Sequence, residues 1–211
     1  ETIPDQHLLR YDPFAISLAF NTAYRQQTDA GMLGVRGNLS SRLRYIDYDQ
    51  MLYRPFDVNI TTRDPGLEAI RRTSSVDAAY GQRVVITPSN FAGPSVIGVA
   101  LLDVFGSDAD HAAYAFTDVA YKQTAKTIGE AVSHEAGHTF GLSHDGGPLS
   151  PDYYDGHGAW APIMGRPIDP ARPVTQWSRG EYAGANNFED DLGTIGNGKP
   201  GSPGAGFVPD D

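Results

Sequence analysis

Apolar positions along the chain recur with two rhythms. Phe14-Ala15-Ile16-Ser17-Leu18-Ala19-Phe20 is nearly continuous and predicts a buried strand within residues 8–21. Asp57-Val58-Asn59-Ile60-Thr61-Thr62 alternates and predicts a second strand. Val84-Val85-Ile86, closed by Pro88, predicts a third over residues 82–87. Residues 96–105 and 113–119 read as a fourth and a fifth. Helical spacing appears where Leu39, Leu43, Ile46 and Tyr53 follow a cap at Asn38 or Ser40, after a Gly-containing loop over 28–37. A short helix over 67–72 is expected after the Asp64-Pro65-Gly66 turn. The clearest helix runs from Thr124 to about Phe140, with Ile128, Val132, Ala136 and Phe140 on one stripe. Residues 178–192 regain helical character as a closing helix.

Between these last two helices the rhythm is lost. Residues 142–177 are rich in Gly, Pro, Asp and Tyr, which predicts a loop-built lower lobe. Residues 196–211 have linker composition and are expected to be a weakly ordered tail or a tether to something removed. Early alternation of strand and helix, then strands together, then a long helix, predicts an α/β (α+β) sandwich with a mixed sheet. A chain of 211 residues can hold that as one domain over 1–195, with an upper lobe about 1–141 and a lower lobe about 142–195.

Charge narrows the partners. A formal net charge of −10, with no basic cluster larger than Arg42/Arg44 or Arg71/Arg72, argues against nucleic acid and anionic membrane. No apolar run reaches the ~18 residues that a membrane-spanning helix needs. The absence of cysteine removes thiolate metal sites, thiol proteases and redox motifs. Any metal must therefore be held by His, Asp, Glu or backbone oxygen. The chain begins Glu-Thr-Ile-Pro, which fits a processed N-terminus.

The chemistry concentrates in His134-Glu135-Ala136-Gly137-His138-Thr139-Phe140-Gly141-Leu142-Ser143-His144-Asp145. At ~100° per residue, His134 and His138 lie ~40° apart on one helix face, one turn above the other. Two imidazoles so placed can grip one cation. The apolar stripe lies roughly opposite, so the helix can bury one side and aim both histidines into a cleft. Gly141 suits a sharp helix end because glycine adopts φ > 0 without steric cost, and the turn can return His144 to the same metal. Three neutral imidazoles leave one position open, the arrangement of a catalytic zinc site. Glu135 is then placed to act as a general base toward water.

This stretch resembles the extended zinc motif of the metzincin metalloproteases, HExxHxxGxxH plus a family residue. Asp145 in that last place resembles the adamalysin/reprolysin branch. Ala161-Pro162-Ile163-Met164-Gly165 resembles the Met-turn that lies beneath the zinc in these enzymes, and Arg166 stands where astacins and serralysins carry a Tyr. Residues 56–62, 156–165 and 176–182 are similar to segments of bacterial secreted reprolysin-like proteases. The absence of cysteine departs from animal reprolysins, so details of their lower lobe are not carried over. The resemblance implies a mixed five-stranded twisted sheet and a long active-site helix above a loop-rich lower lobe. It also implies one catalytic Zn2+ on His134, His138 and His144, catalysis by Glu135, and support from Gly141, Asp145 and Met164. The implied protein is a secreted monomer that cleaves protein or peptide substrates held extended, along an edge strand within residues 96–104.

Other residues have roles that the sequence leaves open. Asp145 can order the turn below the metal or serve as an ordinary loop carboxylate. His157 can line the cleft, while Tyr153, Tyr154 and Trp160 can shape a pocket or form the core of the small lobe. Glu130 can bond a ligand histidine or meet solvent. Ca2+ is a possible second ion on Asp108, Asp110 and Asp118 or on Asp152 and Asp155, though neither set has EF-hand spacing. Two alternatives to an endopeptidase stand: a catalytically silent zinc-containing binding module, and a zinc hydrolase of a non-peptide amide or ester.

Overall fold

A computed structural model describes residues 16–21, 52–62, 64–118, 124–166 and 171–209. The strands β1 (Ile16–Asn21), β2 (Asn59–Thr61), β3 (Gly81–Thr87), β4 (Gly98–Val99) and β5 (Ala113–Phe116) form one sheet in the order β2-β1-β3-β5-β4. β1 is antiparallel to both β2 and β3, with Ile16 opposite Ile86 and Phe20 opposite Gln82. β3 and β5 are parallel, and β4 returns antiparallel to β5 with Gly98 opposite Ala115. The sheet is therefore mixed, and the chain is a mixed α/β protein. The helix expected over 38–53 and the loop before it lie outside the described residues, except Leu52 and Tyr53, which are buried in the core.

One long helix, α1 (Ala125–Thr139), packs across the sheet. Alternation in β3 sends Val84 and Ile86 to the helix side, where they join Ala113 and Ala115 of β5. The two alanines are small, so α1 can approach closely with Ile128, Val132, Ala136 and Phe140. All four members of that predicted stripe are buried. Val85, Val99, Tyr114 and Phe116 form a separate cluster on the opposite side.

Local chemistry sets both ends of α1. Thr124 accepts from the Thr127 N–H at 3.2 Å, and the Thr127 hydroxyl oxygen accepts from the Thr124 N–H at 3.0 Å. This reciprocal capping box satisfies two otherwise orphaned donors. At the other end Leu142 N–H donates to Gly137 O at 3.1 Å and Gly141 N–H to His138 O at 2.8 Å. This is the Schellman arrangement, with Gly141 at φ 93° in the left-handed region. The helix contains Gly129 and Gly137 and a β-branched Val132, so its intrinsic propensity is modest. Burial of its apolar stripe against the sheet supplies the difference.

The helix expected over 67–72 shortens to a single 3-10 turn at Leu67–Ala69, the strand expected over 113–119 ends at Phe116, and three further expectations change in length or place. The run over 96–105 contracts to the two-residue β4. The chain then turns through Asp103 (φ 60°) so that Asp103, Val104 and Phe105 donate to the last carbonyls of α1. Those carbonyls need partners at a helix end, and that need competes with strand extension. The helix expected over 178–192 is instead α2 (Asp191–Asn197), capped by Asp190. Gly180 and Gly184 adopt positive φ in the preceding segment, and Asn186 accepts from Gly146 N–H at 3.0 Å, so residues 178–190 form loops. The described part of the expected tail, residues 196–209, is packed onto the fold. β8 (Gly198–Lys199) and β9 (Ser202–Pro203) form a hairpin, after the short parallel pair β6 (Trp160–Pro162) and β7 (Val174–Gln176). Tyr80 donates to Gly204 O at 2.9 Å, Asp57 N–H to Gly206 O at 3.0 Å, and Phe207 meets Phe56 at 5.7 Å. Backbone bonds hold this segment, and composition alone does not reveal them.

No described helix is long and apolar enough to cross a membrane.

Candidate metal centre

His134 and His138 leave α1 toward a cavity of about 360 Å³ between the helix and the segment through β4. His144 reaches the same place after the Gly141 turn. One ligand nitrogen from each of the three lies within 4.8 Å of the others, the one such cluster of metal-ligating side chains among the described residues. The backbone orients two of the rings. His134 Nδ1 is 2.8 Å from Ile163 O, and His138 Nδ1 is 2.8 Å from Leu142 O. A carbonyl only accepts, so each Nδ1 carries the proton and each Nε2 presents its lone pair.

That tautomer makes the arrangement fit a cation. His138 Nε2 and His144 Nε2 stand 2.9 Å apart. Two lone pairs at that distance repel unless a proton or a cation lies between them. Burial lowers the pKa of His134 to about 3 and of His144 to about 4, and it also lowers that of His138; the neighbouring histidines depress the first two further. The three rings are thus held as neutral imidazoles, the form that binds zinc.

The turn beneath the cluster is built by the segment containing Met164. Gly165 N–H donates to Pro162 O at 3.1 Å, Ile163 N–H to Gln176 O at 2.9 Å, and Asp145 N–H to Met164 O at 2.8 Å. Met164 is fully buried. A Cβ on Gly137 would meet Met164 Sδ at 2.6 Å and Trp177 Cζ3 at 3.2 Å, so the absence of a side chain at Gly137 admits the turn against α1. Sequence reasoning missed Gly137. The available signal was a glycine in mid-helix, where it costs about 1 kcal/mol against alanine unless packing requires it.

Glu135 lines the same cavity, 4% exposed. Burial alone pushes its carboxyl up to about 8. A Cβ added to Gly98 would overlap the Glu135 carboxyl group, with its Cγ at 2.6 Å, so the glycine in β4 is what makes room for this side chain. Tyr153 also lines the cavity, its ring 4.3 Å from that of His144.

Asp145 does not face the imidazoles. It is buried and accepts from the Ser178 hydroxyl at 2.8 Å, tying the residue after His144 to the segment that follows β7. Burial raises its carboxyl to about 6 against the lowering effect of that bond. Tyr154 stacks on Tyr182 at 4.0 Å, and Trp160 lies 6.0 Å from Tyr182, so both belong to the aromatic packing around Tyr182. His157 is 3.0 Å from the Tyr154 hydroxyl and does not border the cavity. Glu130 does not meet solvent: it is fully buried and paired with Lys126. Asp108, Asp110 and Asp118 are not gathered into a metal-sized cluster; Asp110 pairs with Arg83 at 3.1 Å, and Asp155 with Arg166 at 3.5 Å.

The turn at Gly141 yields a direct prediction. A Cβ there would meet Lys199 Cδ at 3.0 Å and Asp103 Oδ1 at 3.2 Å, and an L-residue at φ 93° is strained besides. Gly141→Ala is expected to cost about 1–2 kcal/mol. For a domain of this size that lowers Tm by roughly 2–8 °C. An unchanged thermal melt would show that the turn tolerates a side chain.

No protein-family model matches the chain, and no curated protein matches it. The fold and site define a mixed α/β protein with a buried three-histidine centre able to hold a metal ion such as zinc.

Proposed function

We propose that this chain is a zinc-dependent endopeptidase of the metzincin type. The observation that carries the reading is the placement of Glu135 in the same cavity as three neutral, converging imidazoles. His134, His138 and His144 would hold the ion, two of them fixed by carbonyls from the Met164 turn and the helix end. Zinc in such a site supplies a Lewis acid that polarises a carbonyl and acidifies water. Glu135 takes the proton of the attacking water on its carboxylate and passes it to the departing amine. In its apolar surroundings the side chain favours the protonated form, and a dication held by the three histidines would counter this and favour the carboxylate. The cavity walls around Glu135 limit competing solvent. β4 stands at the end of the sheet order and borders the cavity, so an extended peptide can add to it through backbone hydrogen bonds.

The decisive experiment is elemental analysis of the purified chain, paired with cleavage of an unfolded protein with and without a chelator. About one zinc per chain and chelator-sensitive internal cleavage are expected. One zinc with no cut in any peptide or protein would overturn the peptidase assignment, and no zinc in a folded chain would overturn the metal centre itself.

A further inference from the structure

The cavity wall is chemically uneven. Ser95, Val96, Ile97, Gly98, Val99 and Ala100 give it a continuous uncharged stretch, and Tyr153 and Gly165 also line it. Among the described residues that line it, Arg166 is the only lysine or arginine, and it shares the cavity with Glu135 and His144. Its backbone is anchored, since Arg166 N–H donates to Tyr154 O at 3.0 Å. Its guanidinium lies 5.9 Å from the centre of the Tyr153 ring, within the range of a cation–π contact that steers it along the wall.

The head group is only loosely engaged. Arg166 Nε is 3.5 Å from Asp155 Oδ1, and the two side chains are 49% and 62% exposed. An ion pair that long and that open to water contributes little and is readily exchanged. Asp155 does not border the cavity. A carboxylate entering from the cavity side can therefore take the guanidinium from Asp155. It would gain a charge-assisted, two-point bond in a cavity whose lining is otherwise largely uncharged.

We propose that Arg166 is a specificity determinant that selects substrates with a carboxylate close to the scissile bond. This deepens the peptidase reading and rests on it. The carboxylate has two possible sources, an Asp or Glu side chain or the free C-terminus of a short peptide. Both present the same planar, two-oxygen group to the guanidinium.

The test compares peptides cut by the wild-type zinc enzyme. One series carries Asp or Glu, Asn or Gln, or Lys at each position flanking the cut; a second ends in a free acid or an amide. Wild type is expected to favour the carboxylate over its amide isostere by roughly tenfold in kcat/KM. The series showing that ratio identifies the source. In Arg166→Gln the ratio falls to about one, and in Arg166→Glu the preference turns toward Lys. Anisotropy of labelled acid and amide peptides on the Glu135→Gln protein, read before its much slower turnover consumes them, should show the same ratio in Kd. Arg166 is half-exposed, and thermal melts of both variants establish that they fold; Arg166→Lys, which keeps the charge and loses the fork, should retain part of the ratio.

Equal handling of acid and amide peptides by wild type, in both cleavage and binding, would overturn this inference and leave the peptidase reading standing. A preference that persists in Arg166→Glu would also overturn it, by placing the selectivity elsewhere. Absence of chelator-sensitive cleavage of any substrate would instead overturn the peptidase reading and this inference with it.

Discussion

Replacing Glu135 with Gln is expected to leave metal content near one per chain while lowering peptide turnover by about 10²–10⁴. The amide keeps the volume that Gly98 makes room for, but it cannot take a proton from water. The variant should be no less stable than wild type, because burial disfavours the charged form at this position. Glu135→Ala should lose turnover as well, with some added destabilisation from the space it leaves. Elemental analysis, a thermal melt and initial rates on one peptide separate these effects. If Glu135→Gln retained full activity with zinc bound, the general base would lie elsewhere and the proposed mechanism would fail.

The second large effect is on stability through the metal. A ligand that binds the folded chain and not the unfolded one stabilises it by RT ln(1 + [L]/Kd), about 2.7 kcal/mol when the free ion stands at 100 times Kd. For a chain of this length that corresponds to a rise in Tm of roughly 5–10 °C. His134→Ala should abolish the zinc-dependent rise. It removes one of three ligands and leaves Ile163 O without its donor, since that carbonyl now meets the His134 Nδ1–H. It should also lower zinc content well below one per chain under the same dialysis. The check is a pair of melts, with and without added zinc, for wild type and variant. A wild-type melt that does not move with zinc, or a His134→Ala melt that moves as much as wild type, would refute the three-histidine centre.

Much of the centre was legible because helix geometry is local. The spacing of His134 and His138, the apolar stripe through Ile128, Val132, Ala136 and Phe140, and the need for a left-handed residue at Gly141 all follow from 3.6 residues per turn and the absence of a Cβ. The structure places the three histidines together and gives Gly141 a φ of 93°. The strands over 81–87 and 113–116 were legible for a similar reason, as continuous apolar runs bounded by turn residues. The parts misread are those whose conformation is set from a distance. Residues 100–105 leave the strand because α1's terminal carbonyls need donors. Residues 178–190 are loops because Asn186 and Asp190 spend their side chains on backbone N–H groups. Residues 198–209 read as a linker, yet bond to Tyr80, Pro55 and Asp57 across the fold.

The sequence by itself determined which atoms can bind a metal and which single carboxylate stands between the first two ligands. It also set the helix that carries them, because these are properties of residue type and spacing over one or two turns. Only the tertiary structure decided the protonation and the surroundings of that site. Ile163 O and Leu142 O set the tautomers of His134 and His138, and Gly137 admits the Met164 turn. Gly98 shapes the wall against Glu135, and the Met164 turn delivers Arg166 to the cavity lining. These partners are separated in sequence by up to dozens of residues, and hydrogen bonding and desolvation act through space, so no local pattern encodes them.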